Sequence, residues 1–238
     1  MKFKLKRNLF YIIIFLIVCV GIISSLILRA SIIKYDYDTF VSEKNKYLYY
    51  PYEDLKHSGG VFTDITTEDN IDMNNFSDYI VEGIATGKHE ILKGAVLTQI
   101  KIIKVIKGDI GKENVYIYEP ISIEIGKGSS KYLASMLGYN FIKDNEEYIF
   151  CINKFSNIKA HVYTEKEKDS YVYENPFSAK FPMKYNNSDF KIGEESEFNT
   201  NNNYNEYADC EQVFSSKKNK ELYFKCREQL MQMINFKK

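Results

Sequence analysis

The chain carries three histidines and four cysteines, residue types that supply much nucleophilic and metal chemistry. His57, His89 and His161 form no H-x-x-x-H pair, and none neighbours a pair of cysteines. No metal ligand set and no cofactor site is therefore expected. Asp69, Asp72 and Asn74 begin like a calcium loop, but Ile71, Phe76 and Ser77 break the series of alternating oxygen ligands that such a loop needs. There is no G-x-S-x-G, and Ser58-Gly59-Gly60 lacks the strand-to-helix setting of a nucleophile elbow. Gly126-Lys127-Gly128-Ser129-Ser130 lacks the spacing of a phosphate-binding loop. The carboxylate pairs Glu146-Glu147 and Glu194-Glu195 are adjacent, so on a strand they face opposite ways and cannot share acid–base work. No catalytic residue is assigned, and the chain is expected not to be an enzyme.

The cysteines divide by context. Cys19 lies within an apolar run, and Cys151 in an apolar strand, where a buried thiol is expected. Cys210 and Cys226 are candidates for a disulfide. On one continuous helix they would lie about 24 Å apart, beyond bridging reach, so the bond requires a helical hairpin. Bonded and free forms both remain open.

Leu9 to Leu28 contains no charged residue and follows Lys2, Lys4, Lys6 and Arg7. About 20 helical residues span the ~30 Å of a hydrocarbon core, and basic residues ahead of such a segment stay on the cytoplasmic side. The expectation is a single-pass transmembrane helix in lipid at the cell membrane, with a cytoplasmic N-terminus and an extracytoplasmic C-terminal domain. The organisation read from this is a cytoplasmic tail over 1–8, the transmembrane helix over 9–28, a juxtamembrane stalk over 29–60, a barrel domain with additions over 61–198, and a polar linker with C-terminal helices over 199–238. Residues 1–34 hold six basic residues and no acid, so the remainder carries −6 against a net charge of zero. A mildly acidic body repels phosphate backbones, and no nucleic-acid partner is expected.

Short strand-like runs follow: Tyr79 to Thr86, Val96 to Lys107, Val115 to Tyr118, Ile121 to Ile125 and Glu147 to Ile152. Gly83 suits a bulge or a close backbone approach, and the period-2 pattern slips at Ile102-Ile103, where another bulge is expected. Lys131 to Leu137 is read as a short helix stopped by Gly138, and Asp69 to Phe76 as another. Tyr171 to Tyr173 reads as half of a hairpin with His161 to Thr164. Near the C-terminus, Glu206 to Phe214 reads as a helix N-capped by Asn205. Leu222, Cys226, Leu230 and Met233 mark one face of a second helix.

The succession Asp78-Tyr79-Ile80-Val81-Glu82-Gly83, Ile102 to Gly108, Val115-Tyr116-Ile117-Tyr118 and Glu147-Tyr148-Ile149-Phe150 resembles the netrin-like module, which includes the tissue inhibitors of metalloproteinases. The resemblance implies an OB-type barrel. It does not carry inhibition, because the free N-terminal cysteine and the cysteine framework of those inhibitors are missing here. The chain also resembles anchored extracytoplasmic proteins of AT-rich bacteria. The fold class expected is α+β: an N-terminal transmembrane helix, then a small antiparallel OB-like β-barrel with a C-terminal helical segment. The function expected is that of a membrane-anchored extracytoplasmic binding or interaction protein with a protein or glycan partner. The alternative is a cell-envelope enzyme, or an accessory to one, whose site assembles only in the tertiary structure.

Overall fold

The computed structural model describes residues 15–25, 36–52, 76–92, 94–125, 130–155, 163–193 and 202–236. Two units are distinct, Met1–Asp36 and Tyr37–Lys238. Within the first, residues 15–25 are helical and span about 16 Å.

In the second unit a short helix α1 (Tyr37–Ser42) leads into strand β1 (Tyr47–Tyr52). Strands β2 (Tyr79–Leu92), β3 (Ala95–Lys107), β4 (Asn114–Glu119), β5 (Ile121–Ile125), β6 (Lys131–Met136) and β7 (Glu147–Lys154) follow. Then come α2 (Glu165–Lys168), β8 (Ser170–Tyr173), β9 (Lys180–Pro182), β10 (Phe190–Ile192), β11 (Gln212–Phe214) and the C-terminal helix α3 (Lys217–Phe236). The main sheet has the order β2-β3-β4-β8-β7-β9, with β2 also paired to β7, and smaller sheets join β1-β6-β5 and β10-β11.

The expected transmembrane helix followed by an antiparallel OB-like barrel is corrected on both counts. Among the described residues no helix is long and apolar enough to cross a membrane. Helix α3 has 20 residues but is studded with Lys, Glu and Arg. The single-pass, extracytoplasmic placement at the cell membrane thus loses its basis. The body in turn is a mixed-sheet assembly with parallel pairings at β1–β6, β4–β8 and β10–β11. Parallel neighbours need long crossover connections, which local periodicity does not display.

Several local readings change with it. Lys131–Met136 is a strand, paired on one side with β1 and on the other with β5. Its Leu133 and Ser135 face inward, so tertiary pairing overrides the local helical reading. Leu137 and Gly138, both at positive φ, then turn the chain sharply. The segment expected as a stalk supplies α1 and β1, with Phe40, Tyr47 and Tyr49 buried. Strand β1 is also tied to a late part of the chain: the Tyr49 amide donates to the Asn202 carbonyl at 2.8 Å, and Asn203 Nδ2 donates to the Asn45 carbonyl at 2.6 Å. Tyr171 to Tyr173 lies between β4 and β7 as β8, preceded by α2 with Thr164 as N-cap of a capping box. Over 206–214 the expected helix is replaced by a 3-10 turn, Tyr204–Glu206, capped by Asn203, and then by β11. The readings on 1–14, 26–35, 53–60, Asp69 to Asn75, 126–129, 161–162 and 194–201 lie outside the described residues.

The apolar core lies between α3 and the sheets. Ile80, Ile149, Cys151, Phe181, Phe190, Phe214, Tyr223, Cys226, Leu230 and Ile234 pack as one cluster. Each large side chain buried there contributes about 1.5–3 kcal/mol. Leu222 and Met233 only flank this face, which turns on Tyr223, Cys226, Leu230 and Ile234.

Candidate functional site

An irregularity in β2 creates the most unusual feature of the interior. Ala85 faces Ile100 and His89 faces Thr98, so Thr86, Gly87 and Lys88 share the single opposing residue Gln99. Gly87 takes φ +77°, a conformation that L-residues with a side chain seldom adopt. Beyond this bulge His89 is a direct cross-strand neighbour of Thr98. On β4 the inward positions are Val115, Ile117 and Glu119, and Glu119 pairs with Val96, one inward step from Thr98. Period-2 geometry thereby aligns an imidazole, a hydroxyl and a carboxyl on one buried face. Asp144 arrives from the loop before β7, held by a bridge to Ala85. Tyr37 of α1 stacks on the His89 ring at 3.9 Å between centroids and 19° between planes.

These groups form a continuous hydrogen-bonded chain. Asp144 Oδ1 lies 2.7 Å from His89 Nε2, and His89 Nδ1 lies 2.8 Å from Thr98 Oγ1. The Thr98 hydroxyl is hydrogen-bonded in turn to Glu119 Oε1. Glu119 Oε2 accepts from the Tyr139 hydroxyl at 3.1 Å and from the Ile142 amide at 2.8 Å. Tyr139 and Tyr173 share a hydrogen bond of 2.9 Å between their hydroxyls. The His89 and Glu119 side chains have no solvent exposure, whereas Asp144 is 42% exposed and forms the wet end of the chain. Burial raises the Glu119 pKa above the usual carboxylate range, against the lowering effects of the Thr98 hydrogen bond and of the His89 and Lys180 charges. Burial likewise raises Tyr139 and Tyr173, helped by the Glu119 charge.

A second polar cluster lies alongside. Glu211 pairs with Lys180 at 2.9 Å and with Lys143 at 2.9 Å, and it accepts from the Tyr148 hydroxyl at 3.0 Å. Burial works to raise the Glu211 pKa, but the two ammonium groups outweigh it and hold the carboxyl below its ordinary value. Lys180 also donates to the Phe141 carbonyl at 2.8 Å and lies over the Tyr139 and Tyr148 rings. Every polar group of this ion pair has a partner, the condition under which a buried charge pair is tolerated.

An acid, an imidazole and a hydroxyl in series are the elements of a nucleophilic triad. Here Thr98 is completely buried, so no carbonyl carbon can approach its oxygen. The arrangement instead suits storage and relay of protons.

Of the residues weighed from sequence, His89 is brought together with carboxylates, while His57 and His161 lie outside the described residues. Cys210 and Cys226, weighed as a disulfide pair, are free thiols; Cys226 packs in the core of α3, and the Cys210 carbonyl accepts from Asn140 Nδ2 at 2.9 Å. Among the described residues no group of three or more His, Cys, Asp or Glu side chains could hold a metal ion. The sequence reading passed over Thr98, Glu119, Asp144, Lys180 and Glu211. One signal was present: Glu119 continues the alternation of Val115 and Ile117, which places a carboxyl in phase with apolar residues. No protein-family model and no curated protein matches the chain.

Proposed function

We propose that this chain is a non-catalytic binding module that accepts an extended segment of a protein partner in the groove between α3 and β10. The observation that carries this reading is the contrast between interior and surface. Among the described residues of the second unit, His89, Thr98, Glu119, Lys180 and Glu211 are turned inward and engaged with neighbouring polar groups, whereas an open groove of about 470 Å³ lies on the outside, lined by Asn187, Ile192, Lys217, Lys220 and Phe224 among others. Ile192 is 47% exposed, and Lys220 is positioned by donating to the Phe190 carbonyl at 2.7 Å. Two apolar side chains, Ile192 and Phe224, stand there among Lys217, Lys220, Glu221, Lys225 and Glu228, a lining that suits a segment with an apolar anchor flanked by charges of both signs.

The test is capture of ligands from a peptide library by the full chain, compared with Ile192→Asp and Phe224→Ser. Ile192→Asp is expected to abolish capture while leaving the unfolding midpoint unchanged. Equal capture by wild type and Ile192→Asp would overturn the assignment of this groove.

A second reading, an enzyme whose groups converge only in the fold, draws on His89 gathered with Asp144, Glu119 and Thr98. The burial of Thr98 weighs against it. Covalent labelling of Thr98 by a fluorophosphonate in the folded chain would reverse the preference.

A further inference from the structure

The hydrogen inventory of the buried chain requires one more proton than its members hold as an ordinary glutamate and a neutral histidine. The Asp144 carboxylate only accepts, so His89 Nε2 carries a hydrogen. Glu119 Oε2 is already occupied by the Tyr139 hydroxyl and the Ile142 amide. Between His89 Nδ1, Thr98 Oγ1 and Glu119 Oε1 there are two hydrogen bonds, and Thr98 supplies one hydrogen. The second must sit either on Glu119 Oε1, with Thr98 donating to Nδ1, or on Nδ1, with Thr98 donating to Glu119. Both arrangements make the same number of bonds. Without that proton, two acceptors face each other across one of the gaps, in a site that excludes water.

We propose that Glu119 and His89 hold a single proton between them, exchanged through the Thr98 hydroxyl, and that this proton is a pH-sensitive latch for α1. The latch acts through Tyr37, whose ring rests on the His89 imidazole. Losing the proton leaves Nδ1 or the carboxylate facing a lone pair, the imidazole turns, and the stacking surface under Tyr37 is lost. The groups facing the pair are Tyr37 from α1, Asp144 from the loop before β7, Tyr139, Tyr173 from β8, Lys180 from β9 and Tyr204. The four tyrosines stay neutral through the working range, because burial raises each of them. Asp144 provides the path by which the proton reaches solvent.

In an unfolded chain the pair holds two protons below about pH 4.3, one up to about pH 6.5 and none above that. The native pair keeps one, so the contribution to stability is level between those values and falls as pH rises beyond about 6.5.

The test compares full-length wild type with Glu119→Gln, whose amide donates permanently to Thr98. Between pH 7 and 8.5 the folding equilibrium constant of wild type is expected to fall about tenfold per pH unit relative to the variant. Hydrogen exchange over Tyr37–Ser42, corrected for its intrinsic pH dependence, is expected to accelerate in wild type alone. Parallel stability profiles, or unchanged protection of α1, would overturn the proposal. Should Glu119→Gln fail to fold, the wild-type protonation states decide the matter. With three histidines in the chain, replacing His57 and His161 leaves His89 as a single imidazole signal in nitrogen NMR. An ionised Glu119 beside a neutral His89 at pH 7.5 would overturn the proposal, and a proton on either supports it.

Discussion

Glu211 and Glu119 are both buried carboxyls, yet their environments push them in opposite directions. Glu211 faces two ammonium groups, and its depressed pKa contributes stability that is present above about pH 4.3 and lost as pH falls through the lower folded value. Glu211→Gln is therefore expected to flatten the loss of stability between about pH 5 and pH 3, as read from urea unfolding midpoints. Glu211→Ala, which leaves Lys180 buried without its carboxylate, is expected to cost about 3–5 kcal/mol at neutral pH. Little of this was legible in the sequence. Lys180 and Glu211 sit in segments with no strong periodicity, and only the pairing of β9 with β7 brings Lys180 towards Glu211. His89 drew attention as a titratable residue, but its partners come from β3, β4 and a loop, at separations that no local pattern encodes.

At the level of elements, the legible features were those set by short-range rules. The close approach at Gly83 is real, since an added Cβ would lie 2.7 Å from Ile100 Cγ2 and 2.9 Å from the Lys101 carbonyl oxygen. The phase slip at Ile102-Ile103 corresponds to the register shift between Glu82 and Gly83. A C-terminal helix was readable from its spacing, although its buried face is rotated toward Tyr223 and Ile234. Leu230→Ala is expected to destabilise the chain by about 2–5 kcal/mol, measured by chemical denaturation. Glycines separate two kinds of turn. Gly138 has φ +66°, and its added Cβ would lie 1.7 Å from the Val213 carbonyl oxygen, so Gly138→Ala is expected to cost well over about 1 kcal/mol. Gly111 has open space around it, and Gly111→Ala is expected to be neutral or stabilising by up to about 1 kcal/mol. Thermal melts of the two variants check the contrast. The parallel pairings were not legible, because β1 and β6 meet across a long intervening stretch of chain and β6 reads locally as a helix.

For the molecule as a whole, the thiols report whether the second unit is closed. Cys151, Cys210 and Cys226 are buried and free, and burial pushes the Cys151 thiol up to about 12 and Cys226 up to about 11. Iodoacetamide at pH 8 is expected to leave these three unmodified in the folded chain and to modify all of them in denaturant, as counted by mass spectrometry. The tie between β1 and the Asn202–Asn203 segment bears on synthesis. A polypeptide leaving the ribosome from its N-terminus presents Tyr47 and Tyr49 long before either β6 or this segment has been translated. A message stopping short of codon 202 yields a product whose first strand stays partly uncovered, the kind of surface that chaperones and proteases recognise.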